Sequence, residues 1–152
     1  MTYQSATQSM DWIRDNIADP TPMNDKSRLH EMMDVLSHDG HSDAEKGGAL
    51  KALGFMSIRY GAFFVIMCGI IPVIKQYLVG DNKPLAIQAA RSLKYIAQSG
   101  GCEELIQENI HEDLRLIITD ISKNQDLRDI CATAYGWMVS NPPTEINPDM
   151  II

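Results

Sequence analysis

One nine-residue pattern occurs three times in this chain, at 49–57, 89–97 and 131–139, offset by 40 and 42 residues. The copies are Ala49-Leu50-Lys51-Ala52-Leu53-Gly54-Phe55-Met56-Ser57, Ala89-Ala90-Arg91-Ser92-Leu93-Lys94-Tyr95-Ile96-Ala97 and Cys131-Ala132-Thr133-Ala134-Tyr135-Gly136-Trp137-Met138-Val139. Each opens on small or apolar residues, with an apolar residue at the fifth place, an aromatic at the seventh and an apolar residue at the eighth. That is helical spacing inside a longer period. Units of about 40 residues in a helical chain stack because none can bury its apolar face alone.

The 152 residues are 45% hydrophobic, enough for a real core, and a single domain is expected. Thirteen basic against twenty acidic residues give a formal charge of -7, which argues against nucleic acid because neutralising phosphates needs a basic surface. The excess is concentrated early: residues 1–46 carry nine acidic and four basic residues. Cys68, Cys102 and Cys131 form an odd set within apolar helical patterns, as expected of buried thiols in a reducing, cytoplasmic setting. The first ten residues have neither a basic start nor an apolar core, so no leader is expected there. The uncharged run 61–74 is shorter than the roughly 20 residues of a membrane span and is broken by Gly69 and Pro72. A buried helix pair is expected instead.

Spacing predicts helices at about 10–17 and 26–37, the first ending before Asp19-Pro20-Thr21-Pro22. Ser42-Asp43-Ala44-Glu45 fits a capping box and opens a helix over 43–58. Helices over 62–68 and 70–79 meet at Gly69, a corner needing left-handed backbone. Pro84 falls in the first turn of a helix running to about 98. Helices over 103–108 and 110–121 repeat the corner at Asn109, and a last helix spans 126–140 before Asn141-Pro142-Pro143. Forty residues apart, Val65-Ile66 matches Leu105-Ile106, Ile74-Lys75 matches Leu114-Arg115, and Tyr77-Leu78 matches Ile117-Ile118.

The segment Gly69-Ile70-Ile71-Pro72-Val73-Ile74-Lys75-Gln76-Tyr77-Leu78 resembles the second helix of an armadillo repeat, and the three copies resemble its third helix. The resemblance implies an all-α, right-handed α-solenoid of about three three-helix repeats at 8–58, 59–98 and 99–140, with an extended tail over 141–152. It also implies that the third helices line a concave groove for an extended peptide, and that the function is protein binding or scaffolding rather than catalysis. The asparagine with which that family clamps a peptide backbone is replaced by Phe55, Tyr95 and Trp137. The frequent tryptophan four residues earlier is replaced by Lys51, Arg91 and Thr133.

Those six residues form i, i+4 pairs and are the expected partner-binding face, a ladder of cationic and aromatic groups suited to an acidic or aromatic-bearing segment. The competing reading is that the rings only pack between repeats. His38, Asp39, His41 and Asp43 sketch a metal site, but His-x-x-His without a third ligand reads better as a polar turn. His111 falls at the place of Ile71, a partly buried polar group wanting a partner. Gly47, Gly48 and Gly54 lack the spacing of a phosphate loop and fit close helix approach. No catalytic residue, metal or cofactor is expected. The alternative function is a structural subunit fixed in a larger assembly. Ile146, Met150, Ile151 and Ile152 in the tail could fill a groove in this or a neighbouring molecule.

Overall fold

The computed structural model describes the backbone of residues 22–140 and the side chains of residues 27–140. All regular structure among them is helical, with no strand. The helix predicted at 10–17 and the tail over 141–152 lie outside the described residues. Helix α1, Pro22–Ser37, opens four residues earlier than spacing predicts. Pro22 stands at its first position, where a missing N–H leaves no hydrogen bond unmade, so this proline starts the helix instead of barring it.

Each later boundary has a local cause. Helix α2, Asp43–Tyr60, begins at the predicted capping box: the Glu45 N–H donates to Ser42 Oγ at 3.1 Å, and the Ser42 N–H donates to Glu45 Oε1 at 3.4 Å. Helices α3, Ala62–Ile66, and α4, Ile70–Leu78, meet at Gly69, whose φ of 74° is left-handed as predicted. Helix α5, Lys83–Ile96, is capped by Asn82, whose Oδ1 accepts the Leu85 N–H at 3.2 Å. A wide turn, Ala97–Gly101, then leads straight into α6, Cys102–Gln107. Asn109 takes the left-handed corner at φ 63° before α7, Ile110–Thr119, and α8 is Gln125–Ser140. The order short helix, left-handed corner, second helix, long helix therefore occurs twice. No helix among the described residues is long and apolar enough to cross a membrane, and the run 61–74 is divided between α3 and α4.

The long helices α2, α5 and α8 carry the three copies, and α5 lies between the other two, packed along both. The copies sit in matching register: Ala49, Ala89 and Cys131 are buried, as are Ala52, Ser92 and Ala134, and Met56, Ile96 and Met138. One continuous core results. The two buried hydroxyls among the described residues are satisfied, Ser57 donating to the Leu53 and Gly54 carbonyls and Ser92 donating across helices to the Leu50 carbonyl. Helices α4 and α7 also match at Ile70 and Ile110 and at Ile74 and Leu114. Their ends diverge, since Leu78 is buried but its counterpart Ile118 is half-buried while Ile117 goes inside. His111 stands in the place of the buried Ile71 and is itself only half-buried, as suits a polar ring. Ala132 and Val139 of α8 are exposed where Leu50, Ala90, Ser57 and Ala97 are buried. No described helix follows to cover them.

Candidate functional site

On α2, residues 43, 47, 51 and 55 form one helical stripe, and on α5 residues 84, 88, 91 and 95 form another. At the C-terminal ends of the two stripes, the Phe55 and Tyr95 rings stack with centroids 6.1 Å apart and planes 24° from parallel. Both are half-buried. Gly54 makes the seat: a Cβ placed there would stand 2.7 Å from Tyr95 Cδ2. Lys94 Nζ lies 4.7 Å from the Tyr95 centroid, a cation over the ring. Helical spacing favours Arg91 for that part, four residues before the ring, but Arg91 is exposed. Lys94 escapes a spacing argument because i, i+1 residues do not ordinarily share a face.

Toward the N-terminal ends the stripes part and leave a cleft of about 380 Å³, lined by Ala44, Gly47, Gly48, Lys51, Leu85 and Gln88. Asn82 Nδ2 donates to Asp43 Oδ2 at 2.9 Å across its end. Gln88 Oε1 is buried and has no hydrogen-bond partner. Neither Gln88 nor the opening role of Gly47 stands out in the sequence, although the spacing 84, 88, 91, 95 puts Gln88 on the same stripe as Tyr95.

The third pair differs from the first two. Trp137 is 40% exposed and, with Thr133, Ala132, Gly136 and Ser140, borders a shallow hollow on α8. Thr133 Oγ1 donates to the Asp129 carbonyl at 3.2 Å, so its hydroxyl is already engaged. The six predicted residues are therefore one stacked pair, Phe55 and Tyr95, with Lys51 at the cleft, Arg91 exposed, and Thr133 with Trp137 at the far helix.

His38 and His41 are held by local partners. His41 Nδ1 lies 3.1 Å from Glu45 Oε2, and His38 Nδ1 lies 3.0 Å from the Asp34 carbonyl. The hydrogen bond from His41, then that from the Ser42 backbone, holds the Glu45 carboxyl below its ordinary range. No group of three His, Cys, Asp or Glu among the described residues could hold a metal ion. His111 Nδ1 is buried and has no hydrogen-bond partner, as its place opposite Ile71 suggested. Burial pushes the Cys131 thiol up to about 12 and raises those of Cys68 and Cys102. In comparisons with known proteins, no family model matches the chain, and no curated protein or solved structure matches it.

Proposed function

We propose that the chain is a non-enzymatic protein-binding module: an armadillo-like right-handed α-solenoid of three three-helix repeats that holds a partner segment along the face of α2, α5 and α8. The observation that carries this reading is the Phe55–Tyr95 stack, half-buried between consecutive long helices, with Lys94 over one ring and Lys51 and Arg91 on the same stripes. Rings with a cationic border suit an acidic or aromatic-bearing segment. The twice-repeated helix order and the matched burial of the three copies support the solenoid. Burial that keeps the Cys131 thiol protonated supports a role without catalysis, since the thiolate is the nucleophile. Free thiols at all three cysteines support a reducing, cytoplasmic setting.

The test places a photo-crosslinking residue at Arg91 and, separately, at exposed Gln76 on α4. A partner should be trapped from position 91 and not from 76. Tyr95→Ala and Arg91→Ala should each weaken its binding by more than about 1 kcal/mol with helicity intact. The Arg91 effect should shrink at high salt, where an exposed charge is screened. Unchanged binding by Tyr95→Ala would sink the groove reading and leave the aromatic stack as packing. Deleting residues 142–152 should strengthen binding of an external peptide if the apolar tail competes for the groove.

A second reading, a subunit fixed in a larger assembly, is favoured by Met67 and Ile121, which are 82% and 87% exposed. Light scattering separates the two. A free module is monomeric alone, whereas a fixed subunit aggregates until its neighbours are supplied.

A further inference from the structure

Past its first turn α2 carries Lys46, Lys51 and Arg59, and α5 carries Lys83, Arg91 and Lys94. Neither stretch holds an acidic residue, in a chain whose formal charge is -7. Lys51 and Arg91 occupy the same place in their copies, and packing brings them level. A Cβ on Gly47 would meet Leu85 Cδ2 at 3.7 Å and Gln88 Cγ at 3.9 Å, Ser92 donates to the Leu50 carbonyl, and a Cβ on Gly54 would meet Ser92 Cα at 3.4 Å. Contacts advance in the same order along both helices, so α2 and α5 run side by side in one direction. The backbone of Lys51 therefore stands one helix spacing, about 8–10 Å, from that of Arg91. Arg28, Lys75 and Arg115 are each paired with a carboxylate, whereas among the described residues none pairs with Lys51 or Arg91.

We propose that Lys51 and Arg91 read two acidic side chains three residues apart, Asp/Glu-x-x-Asp/Glu, on an extended segment crossing the groove, a step that rests on the groove reading and names the chemistry of its partner. The helix spacing selects the register. In polyproline II conformation every third residue returns to the same face after about 9 Å, which matches the step from one helix to the next. A β-strand returns to one face every second residue, after about 7 Å, or every fourth, after about 13 Å, and fits neither way. The number of cations selects the charge. Each helix offers one at this level, enough for a carboxylate but short of the nearly double charge of a phosphorylated side chain. Lys94 does not change that count, since it lies over the Tyr95 ring. Helix α8 ends the pattern: its third place is Thr133, whose hydroxyl donates to the Asp129 carbonyl, and the exposed Asp129 side chain one turn earlier would repel an acid. The acid pair is thus confined to α2 and α5.

The test titrates the full isotope-labelled chain with short proline-rich peptides, identical except that two aspartates stand two, three or four residues apart, following backbone amide shifts by NMR. The peptide with aspartates three apart should perturb Lys51 and Arg91 and bind at least about threefold more tightly than the other two, a margin within reach of one well-placed ion pair. That margin should shrink at high salt. Arg91→Glu and Lys51→Glu should each lose the doubly acidic peptide and prefer one in which a single aspartate is replaced by lysine, the two variants choosing opposite replacements. Lys51 is half-buried, so Lys51→Gln serves if the glutamate variant unfolds, and it should lose the same threefold margin. Equal binding at the three spacings, no binding at any of them, or one mixed peptide chosen by both variants overturns the proposal, as does a single-stranded oligonucleotide that outcompetes the peptide. The Tyr95→Ala variant separates the two ideas. If the spacings bind alike while Tyr95→Ala still impairs binding of the crosslinked partner, the acid pair alone is wrong; if Tyr95→Ala leaves partner binding unchanged, the groove falls, and with it the segment that would carry the acids.

Discussion

The Tyr95 ring rests on Gly54 so closely that an added Cβ would come within 2.7 Å of its Cδ2. In most helix interiors alanine stabilises over glycine by up to about 1 kcal/mol. Here the sign reverses. Gly54→Ala must push the ring off its seat, and overpacking of this kind costs about 1–3 kcal/mol. At Gly136, the matching residue of the third copy, an added Cβ would meet nothing within 4 Å, so Gly136→Ala should follow the ordinary rule and raise stability. Denaturant melts of the two variants should move in opposite directions; a stabilised Gly54→Ala would show that the ring does not sit there.

Leu93 is fully buried in α5, between α2 and α8. Leu93→Ala should destabilise by about 2–5 kcal/mol in denaturant unfolding, the range for losing a buried leucine and leaving a cavity. A change below about 0.5 kcal/mol, well short of that range, would mean that the central helix is misregistered.

The start of α2 should be sensitive to acid. Glu45 is held below its ordinary value of 4.5, first by His41 and then by the Ser42 backbone, so the folded state prefers its charged form. A depressed carboxyl contributes stability that is present above the unfolded value and disappears as pH falls through the folded one. The gap in melting temperature between the parent and Glu45→Gln should therefore be open above the unfolded value of 4.5 and close as pH falls through the lower folded value, below which both states are protonated. Ser42→Ala should cost about 0.5–2 kcal/mol as a lost cap. A gap that is the same at every pH would contradict the hydrogen bonds at Glu45.

Thiol labelling should rank the cysteines. Cys131, fully buried and pushed up to about 12, should resist iodoacetamide at pH 8 for as long as the fold holds, whereas half-buried Cys68 should label first. Mass-spectrometric mapping checks the order; early modification of Cys131 would indicate that α8 opens.

Features set by nearest neighbours were legible in the residues. Ser42 and Glu45, Gly69, and Asn109 each specify backbone hydrogen bonds or φ within a few positions, so the capping box and both corners could be read directly. The matching of the long helices was legible as well, because burial at Ala49, Ala89 and Cys131 follows from the same periodicity. Pro22 misled because one residue type both breaks and begins helices, depending on which N–H groups need partners. The site was only half visible. The stripe of Phe55 and Tyr95 follows from spacing, but which cation lies over Tyr95, and whether a glycine admits a ring or leaves a void, depend on how far apart two helices settle. That distance is a tertiary quantity, written in no single helix.

The position of α8 has a mechanical consequence. Helix α5 is flanked by a long helix on each side, whereas α8 is packed along α5 and α7, and no other described residue covers its Ala132 and Val139. Residues 141–152 continue directly from it. Tension applied through that end is met first by α8, with α5 and α7 as its anchorage, before any load reaches α2. Among the described residues, load entering at residue 140 therefore reaches the third copy of the repeated pattern before the second and the first.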